Sequence, residues 1–187
     1  EKLMVPANVQ TKKTKFICAR GGNVLGTSGS VVPLFKKQIK KSSQVGITDA
    51  NMTRFFLTIE DAVGLLFKAV YQGRGGEIFV MKMPACKITD LAEVLIEDSK
   101  KENVKLKEVG IRPGEKLSEM LLSEVESKTS ISFDQNYFVV LPTIPIEGLQ
   151  EYYASFPLVD VKSFSSQQDL LAKHEVKQML LKGGFLR

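Results

Sequence analysis

Apolar positions recur with a helical period in "TIEDAVGLLFKAVYQG", residues 58 to 73. Ala62, Leu65, Leu66, Ala69 and Val70 stand at i, i+3, i+4, i+7 and i+8, which predicts an amphipathic helix with these five on its inner face. Thr58 and Asp61 have the spacing of a capping box, and Gly73 marks a stop. "KITDLAEVLIED" at 87 to 98 predicts a second helix, with Thr89 as its cap and Leu91, Val94 and Leu95 facing inward. "AKHEVKQMLLKGGF" at 172 to 185 predicts a closing helix that ends at Gly183 and Gly184. The short apolar runs "KFICAR" at 15 to 20 and "EIFVMK" at 77 to 82 read as buried strands. "KLKEVGIR" at 105 to 112 and "SISFDQNYFVVLP" at 130 to 142 read as further strands. The order strand, helix, strand, helix argues an α/β fold that is at least partly parallel. The segment 147 to 168 lacks a sustained period and clusters Tyr152, Tyr153 and Phe156, so it reads as an extended arm whose aromatic rings anchor it to its own domain or to a neighbouring subunit.

Composition excludes several functions. A chain of 187 residues with 43% hydrophobic residues can bury a core as one domain or two interlocked ones. No run approaches the roughly 20 apolar residues of a membrane span, and "EKLMVPANVQ" lacks a signal peptide's apolar centre, so a cytoplasmic location is expected. Cys18 and Cys86 are too scattered for a disulfide framework, and the one histidine, His174, argues against zinc chemistry and histidine triads. The net charge of +5 is carried by lysine clusters such as "TKKTK" and "FKKQIKK", with no interleaved aromatic platform, so no nucleic-acid partner is expected. Lys36, Lys37, Lys40 and Lys41 fall at helical spacing and read as a solvated helix face.

Candidate chemistry lies in two stretches. "RGGNVLGTSGSVVPLF", from 20 to 35, sets glycines 21, 22, 26 and 29 among Asn23, Thr27, Ser28 and Ser30, between a strand and a helix. Glycines permit close backbone approach and the small polar side chains offer donors, so a phosphate or a sugar hydroxyl could be cradled there; a flexible connection is the alternative. The loop is neither GxGxxG nor a Walker A sequence. Arg54 in "MTRFF" and Arg112 in "GIRPGEKLSEML" stand at element ends, and arginine forks match phosphate oxygens bidentately. Pro113 and Gly114 suit the centre of a type II turn, which holds Glu115 near Arg112, where it could accept from ribose hydroxyls or pair with Arg112 itself.

"NVLGTSGSVVPLFKKQI", "ITDANMTRFFLTIEDAV", "GGEIFVMKMPACKITDLAEVL" and "GIRPGEKLSEML", in this order and spacing, resemble the C-terminal half of the UDP-N-acetylglucosamine 4,6-dehydratases. These are CapD-like polysaccharide biosynthesis proteins of the extended short-chain dehydrogenase/reductase superfamily, and the resemblance runs from Glu1 to about Leu141. It implies an α/β fold in which the remnant of a Rossmann-type parallel sheet, 1 to 22 and 54 to 82, is interleaved with a smaller UDP-sugar-binding domain, 23 to 53 and 83 to 146, followed by the arm and closing helix, 147 to 187. It implies a lyase that uses NADP, with NAD as the alternative, to move a hydride from sugar C4 to C6 while water is lost, with C5 epimerised in inverting members. By the resemblance, Asn23 contacts the sugar nucleotide and Val24 touches the nicotinamide side of the cofactor. Ser28, Gly29, Ser30, Val31, Val32, Pro33, Leu34 and Phe35 wrap the nucleotide, Arg54 and Arg112 hold the diphosphate, and Glu115 meets the uridine ribose. The implied partners are UDP-N-acetylglucosamine or a related UDP-sugar and, through the arm, further copies of the complete protein.

Departures from the family pattern are equally specific. Neither GxGxxG nor Tyr-x-x-x-Lys occurs before the substrate loop, so the cofactor fingerprint and the catalytic pair would lie upstream of Glu1, and the chain alone is expected to be inactive. Arg20 is followed by Gly21 where the family usually has an aromatic residue, and Thr27-Ser28-Gly29-Ser30 stands for the frequent Ser-Arg-Gly-Ser. Pro6 falls where the family continues a helix. A related nucleotide-sugar epimerase or reductase, and a truncated nucleotide-sugar-binding or interaction module, are the alternatives.

Overall fold

The computed structural model describes residues 1–11 and 13–186, so Lys12 of the first lysine cluster and Arg187 lie outside the described residues. In chain order the elements begin α1 (Met4–Gln10), β1 (Cys18–Arg20), β2 (Asn23–Val24), α2 (Val31–Lys41), β3 (Gln44–Ile47) and β4 (Thr53–Leu57). They continue α3 (Ile59–Gln72), β5 (Ile78–Met81), β6 (Ala85–Lys87), α4 (Ile88–Ser99), β7 (Lys105–Glu108) and β8 (Met120–Leu122). The last are α5 (Glu124–Ser127), β9 (Ser130–Ser132), β10 (Tyr137–Val140), α6 (Leu149–Tyr153), β11 (Phe164–Ser165) and α7 (Lys173–Lys182). The fold is α/β with parallel elements, and the chain passes back and forth between two compact units.

The first unit comprises Glu1–Gly21, Glu60–Met83 and Met120–Phe164. Its sheet runs β1-β5-β10-β9, parallel between β1 and β5 and antiparallel beyond, so Phe79 lies opposite Ala19 on one side and Val139 on the other. All four residues of β5 are buried, as its unbroken apolar run requires of a strand covered on both faces. Residues 120 to 146 thus pack with β5, because β10 needs its hydrogen-bonding edge, whereas the sequence grouped them with the sugar-binding domain. In α3, Leu65 and Ala69 are buried, but Leu66 and Val70 are 59% and 71% exposed. The inner face is therefore rotated from the expected one and leads to Gly73, where a Cβ would stand 2.4 Å from Ile17 Cδ1. Pro6 sits in the first turn of α1, where its missing N–H removes no helical hydrogen bond.

Residues 147 to 164 of the arm are held within this unit. Residues 157 to 159 cover the outer edge of β9, with Ser132 N–H donating to Pro157 O at 2.8 Å and Val159 N–H to Ser130 O at 3.1 Å. The fully buried Glu77 carboxylate accepts from Gly75 N–H at 2.6 Å, from Arg74 N–H, and from the Tyr153 hydroxyl at 3.0 Å. Burial beside that carboxylate pushes the Tyr153 phenol up from its ordinary range. The Arg74 guanidinium lies 4.1 Å from the centre of the Tyr152 ring, and Phe156 stacks on Phe133 at 5.2 Å. The three aromatic residues offered as intersubunit anchors are thus engaged inside their own unit.

Gly22–Ile59, Pro84–Glu119 and Ser165–Arg187 form the second unit. One sheet runs β2-β4-β6, parallel between β2 and β4 and antiparallel between β4 and β6, and β3 and β7 pair in parallel beside it. β4 belongs here rather than with β5, since Phe56 pairs with Asn23 and Thr53 with Lys87. Val32, Phe35 and Ile39 of α2, Leu91, Ala92, Val94 and Leu95 of α4, and Val176 and Leu180 of α7 meet in one core. α4 starts at Ile88 with Lys87 as N-cap, so Thr89 falls in its first turn instead of capping it. Cys86 is buried in this core, which pushes its thiol up to about 12.

Candidate functional site

The glycine-rich loop is folded, not slack. Leu25 N–H extends the β2–β4 pairing to Leu57 O at 2.9 Å, and the Thr27 hydroxyl and Ser30 N–H turn the chain back by donating to Val24 O at 3.1 Å and Thr27 O at 2.9 Å. Gly26 has φ +76°, and a Cβ there would stand 2.3 Å from the Phe185 ring, so glycine answers both the backbone angle and the packing. The loop then enters α2 and lines an open pocket of ≈ 420 Å³. Asn23, Val24, Ser30, Val31 and Val32, all expected at the site, line it. Gly22, Leu25, Thr27 and Phe56 complete the wall, Phe56 reaching it through its pairing with Asn23.

Ser30 is the N-cap of α2, yet its side chain caps nothing. Its Oγ is buried and has no hydrogen-bond partner among the described residues. The first turn leaves the N–H groups of Val31 and Val32 without a carbonyl one turn earlier, Pro33 has no N–H, and no acidic residue stands there. A buried hydroxyl without a partner among the described residues, at the positive end of a helix, favours an anionic or oxygen-rich group. Other residues of the expected wrap lie elsewhere: Phe35 is in the core at 2% exposure, Leu34 is 44% exposed, Ser28 and Gly29 are exposed on the loop, and Pro33 is half-buried.

Arg112, Pro113, Gly114 and Glu115 form the expected turn. Glu115 N–H donates to Arg112 O at 3.0 Å, and Gly114 has the φ of +81° that a type II turn requires. The Glu115 carboxylate accepts from Arg112 N–H at 3.2 Å and from the Thr48 hydroxyl at 3.2 Å. The carboxylate therefore pairs with the main chain of Arg112, and the exposed guanidinium forms no ion pair with it among the described residues. Arg54 occupies the position two residues before Phe56, on the same face of β4 by strand alternation. Its Nη1 donates to Thr53 O at 2.7 Å and Leu117 O at 3.0 Å, its Nη2 to Lys116 O at 2.5 Å, and its Nε lies 3.7 Å from Glu119. Thr48, Thr53, Glu119 and Ser166, which support these groups, carry no motif, and no signal in the sequence distinguished them. Among the described residues no helix is long and apolar enough to cross a membrane, and no cluster of three His, Cys, Asp or Glu side chains is placed to hold a metal ion.

A family model described as "Polysaccharide biosynthesis protein" matches residues 1–141. An uncharacterized membrane protein of Methanocaldococcus jannaschii is 39% identical over 100% of this chain and 56% of its own length. The UDP-N-acetylglucosamine 4,6-dehydratase (inverting) of Campylobacter jejuni is 43% identical over 77% of this chain and 42% of its own length. The X-ray structure of Pen from Bacillus thuringiensis superposes with a TM-score of 0.87 at 32% identity, covering 100% of this chain and 55% of that one. The chain thus spans about half the length of the curated relatives it matches.

Proposed function

We propose that this chain, a member of the polysaccharide biosynthesis protein family, is the sugar-nucleotide-binding part of a UDP-N-acetylglucosamine 4,6-dehydratase acting in surface-glycan synthesis. The observation that carries the reading is the buried, unpartnered Ser30 Oγ at the start of α2, lining a cavity that also holds Asn23. An oxygen-rich ligand at the start of α2 supplies the partner that hydroxyl lacks. Asn23 offers an amide donor and acceptor to sugar hydroxyls, the exposed Arg112 fork suits a diphosphate, and the Glu115 carboxylate, fixed by Thr48, suits a ribose diol. When bound, NADP, or NAD in its place, supplies hydride acceptance and return. Val24, half-buried in the cavity wall beside Asn23, fits as an apolar contact on the nicotinamide side, and most of the cofactor's contacts would come from sequence outside these residues.

Calorimetric titration of the chain with UDP and UDP-N-acetylglucosamine tests this. A charge-assisted contact contributes about 1.5 to 3 kcal/mol, so Arg112→Ala should weaken UDP binding roughly ten- to a hundredfold. Ser30→Ala should weaken UDP binding about two- to tenfold while leaving thermal stability unchanged, because the hydroxyl has no partner to lose. Unchanged UDP affinity in both variants would refute the assignment. The chain alone should bind without turnover, since its sequence has neither the phosphate fingerprint of a dinucleotide fold nor a Tyr-x-x-x-Lys pair.

A further inference from the structure

We propose that Phe185, just beyond α7, is a positioning residue for the sugar nucleotide, because it orders the loop between Asn23 and Ser30 that lines the pocket. The end of α7 aims the ring. Gly184, in the left-handed region at φ +72°, donates its N–H to Leu181 O at 2.9 Å, and Phe185 N–H donates to Leu180 O at 2.8 Å. This pair of bonds is a Schellman motif, which fixes the residue after the glycine relative to the helix. Val176 and Leu180 of α7 are buried in the core shared with α2 and α4, so the motif stands on a packed base.

Phe185 meets both elements that carry the pocket wall. A Cβ on Gly26 would stand 2.3 Å from Phe185 Cε1 and 2.4 Å from Cζ, and one on Gly183 would stand 2.8 Å from Cδ2, so the ring lies between two bare α-carbons with its tip against the loop. Gly26 turns that loop, and its neighbours Leu25 and Thr27 line the pocket. Lys36 of α2 supplies the second hold. Its ammonium donates to Phe185 O, and the side chain is half-buried instead of lying on the solvated face expected of the lysine cluster. Phe185 therefore packs its ring on the loop while its carbonyl is tethered to α2, the helix that Ser30 caps and whose Val31 and Val32 complete the same wall. The loop needs such a support. From Thr27 to Ser30 its bonds are local, the Thr27 hydroxyl reaching Val24 O and Ser30 N–H reaching Thr27 O, and Ser28 and Gly29 are exposed. A turn closed by short-range bonds opens easily unless an apolar group packs on it.

The consequence for binding rests on the proposed function, whereas the ordering of the loop does not. The test measures deuterium exchange by NMR at the Leu25 and Ser30 amides, with Phe56 and Val94 as references in the core, and UDP-N-acetylglucosamine affinity by calorimetry. The wild-type chain is compared with Phe185→Ala, Phe185→Leu and Lys36→Met. Phe185→Ala should speed exchange at Leu25 and Ser30 about tenfold or more while Phe56 and Val94 stay within about twofold. Affinity should fall about threefold or more, as the fraction of chains with a binding-competent loop falls. Phe185→Leu keeps an apolar group over Gly26 and should restore most of both losses. Lys36→Met leaves the ring and cuts the tether, so it should speed the same two amides about two- to fivefold, and it decides the matter if Phe185→Ala does not fold. Uniform speeding at loop and reference amides in Phe185→Ala, or unchanged loop exchange in Lys36→Met, would overturn the inference. Faster loop exchange with unchanged affinity would also overturn the positioning role. If the wild-type chain does not bind UDP-N-acetylglucosamine, the sugar-nucleotide reading fails and the exchange rates alone decide whether Phe185 orders the loop.

Discussion

Tyr153→Phe isolates one bond between the arm and the sheet unit. The ring, 2% exposed, stays in place among Phe133, Tyr152 and Phe156, and only the hydroxyl that donates to Glu77 Oε1 at 3.0 Å is removed. Glu77 is fully buried, so the lost donor cannot be replaced by bulk water, although the N–H groups of Arg74 and Gly75 remain. A hydrogen bond to a charged group contributes about 1.5 to 3 kcal/mol, and the surviving donors place the expected loss near the lower end, about 2 kcal/mol. For a chain of this size that lowers Tm by roughly 4 to 8 °C. Tyr153→Ala removes the ring as well and should cost about 3 to 5 kcal/mol, by the same mechanism as other aromatic truncations in cores. Differential scanning calorimetry reads both, and light scattering reads the mass of each variant. A Tyr153→Phe change within about 0.5 kcal/mol of wild type would show that the bond to Glu77 contributes little. A Tyr153→Ala variant that keeps its Tm but loses oligomer mass would show that the arm lies on a neighbouring subunit and would refute the reasoning.

Acid titration should destabilise the first unit as pH falls from about 4.5 toward 2, because the Arg20 hydrogen bond, helped by Ser123, holds the Glu126 carboxyl down to about 2. The folded value is depressed, so the stabilisation is complete above the ordinary carboxylate range and is lost on protonation; discounted for exposure it amounts to about 1 kcal/mol, and Glu126→Gln should flatten that part of the profile. Cys86, buried with its thiol pushed up to about 12, should resist a disulfide-exchange reagent at pH 8 until denaturant is added; labelling as fast as that of a free thiol would contradict its burial. Leu66→Lys and Val70→Lys should each change stability by less than about 0.5 kcal/mol, since both side chains are more than half exposed; a loss above about 2 kcal/mol would restore them to the core.

α3 shows where periodicity stops being informative. Ala62, Leu65 and Ala69 form one apolar stripe, and Val63, Leu66, Phe67, Val70 and Tyr71 form another, so the sequence is apolar over most of the helix surface and its period cannot select the inner face. The sheet selects it, through Gly73 meeting Ile17 and the small Ala69 admitting close approach. The strands β1, β5 and β10 and the helices α4 and α7 were readable because each carries a run long enough to show its pattern. Two-residue β2 was not, being defined only by hydrogen bonds to Phe56 and Leu57 more than thirty residues away. The compact units group 54 to 57 and 120 to 146 differently from the sequence for the same reason, since strand pairing partners, not local propensity, decide which unit a strand joins.

The candidate site divides along the same line. Glycines at positive φ, a proline–glycine turn and a serine before an apolar helix are local devices, so the loop at 22 to 30 and the turn at 112 to 115 could be located from residue types alone. What those residue types could not supply is the destination of a donor. An arginine at the end of a strand has the same five N–H groups whether it grips a phosphate or a carbonyl, and the carbonyls that Arg54 meets belong to Lys116 and Leu117, more than sixty residues further on. Ser166 is still less visible, because a serine in "KSFSSQQD" differs from its neighbours only in meeting Thr53 across 113 residues of chain. Residue chemistry thus limits what each group can bind, and long-range register decides which partner it meets, so the supporting shell of a site escapes a motif search even where the groups offered to the ligand do not.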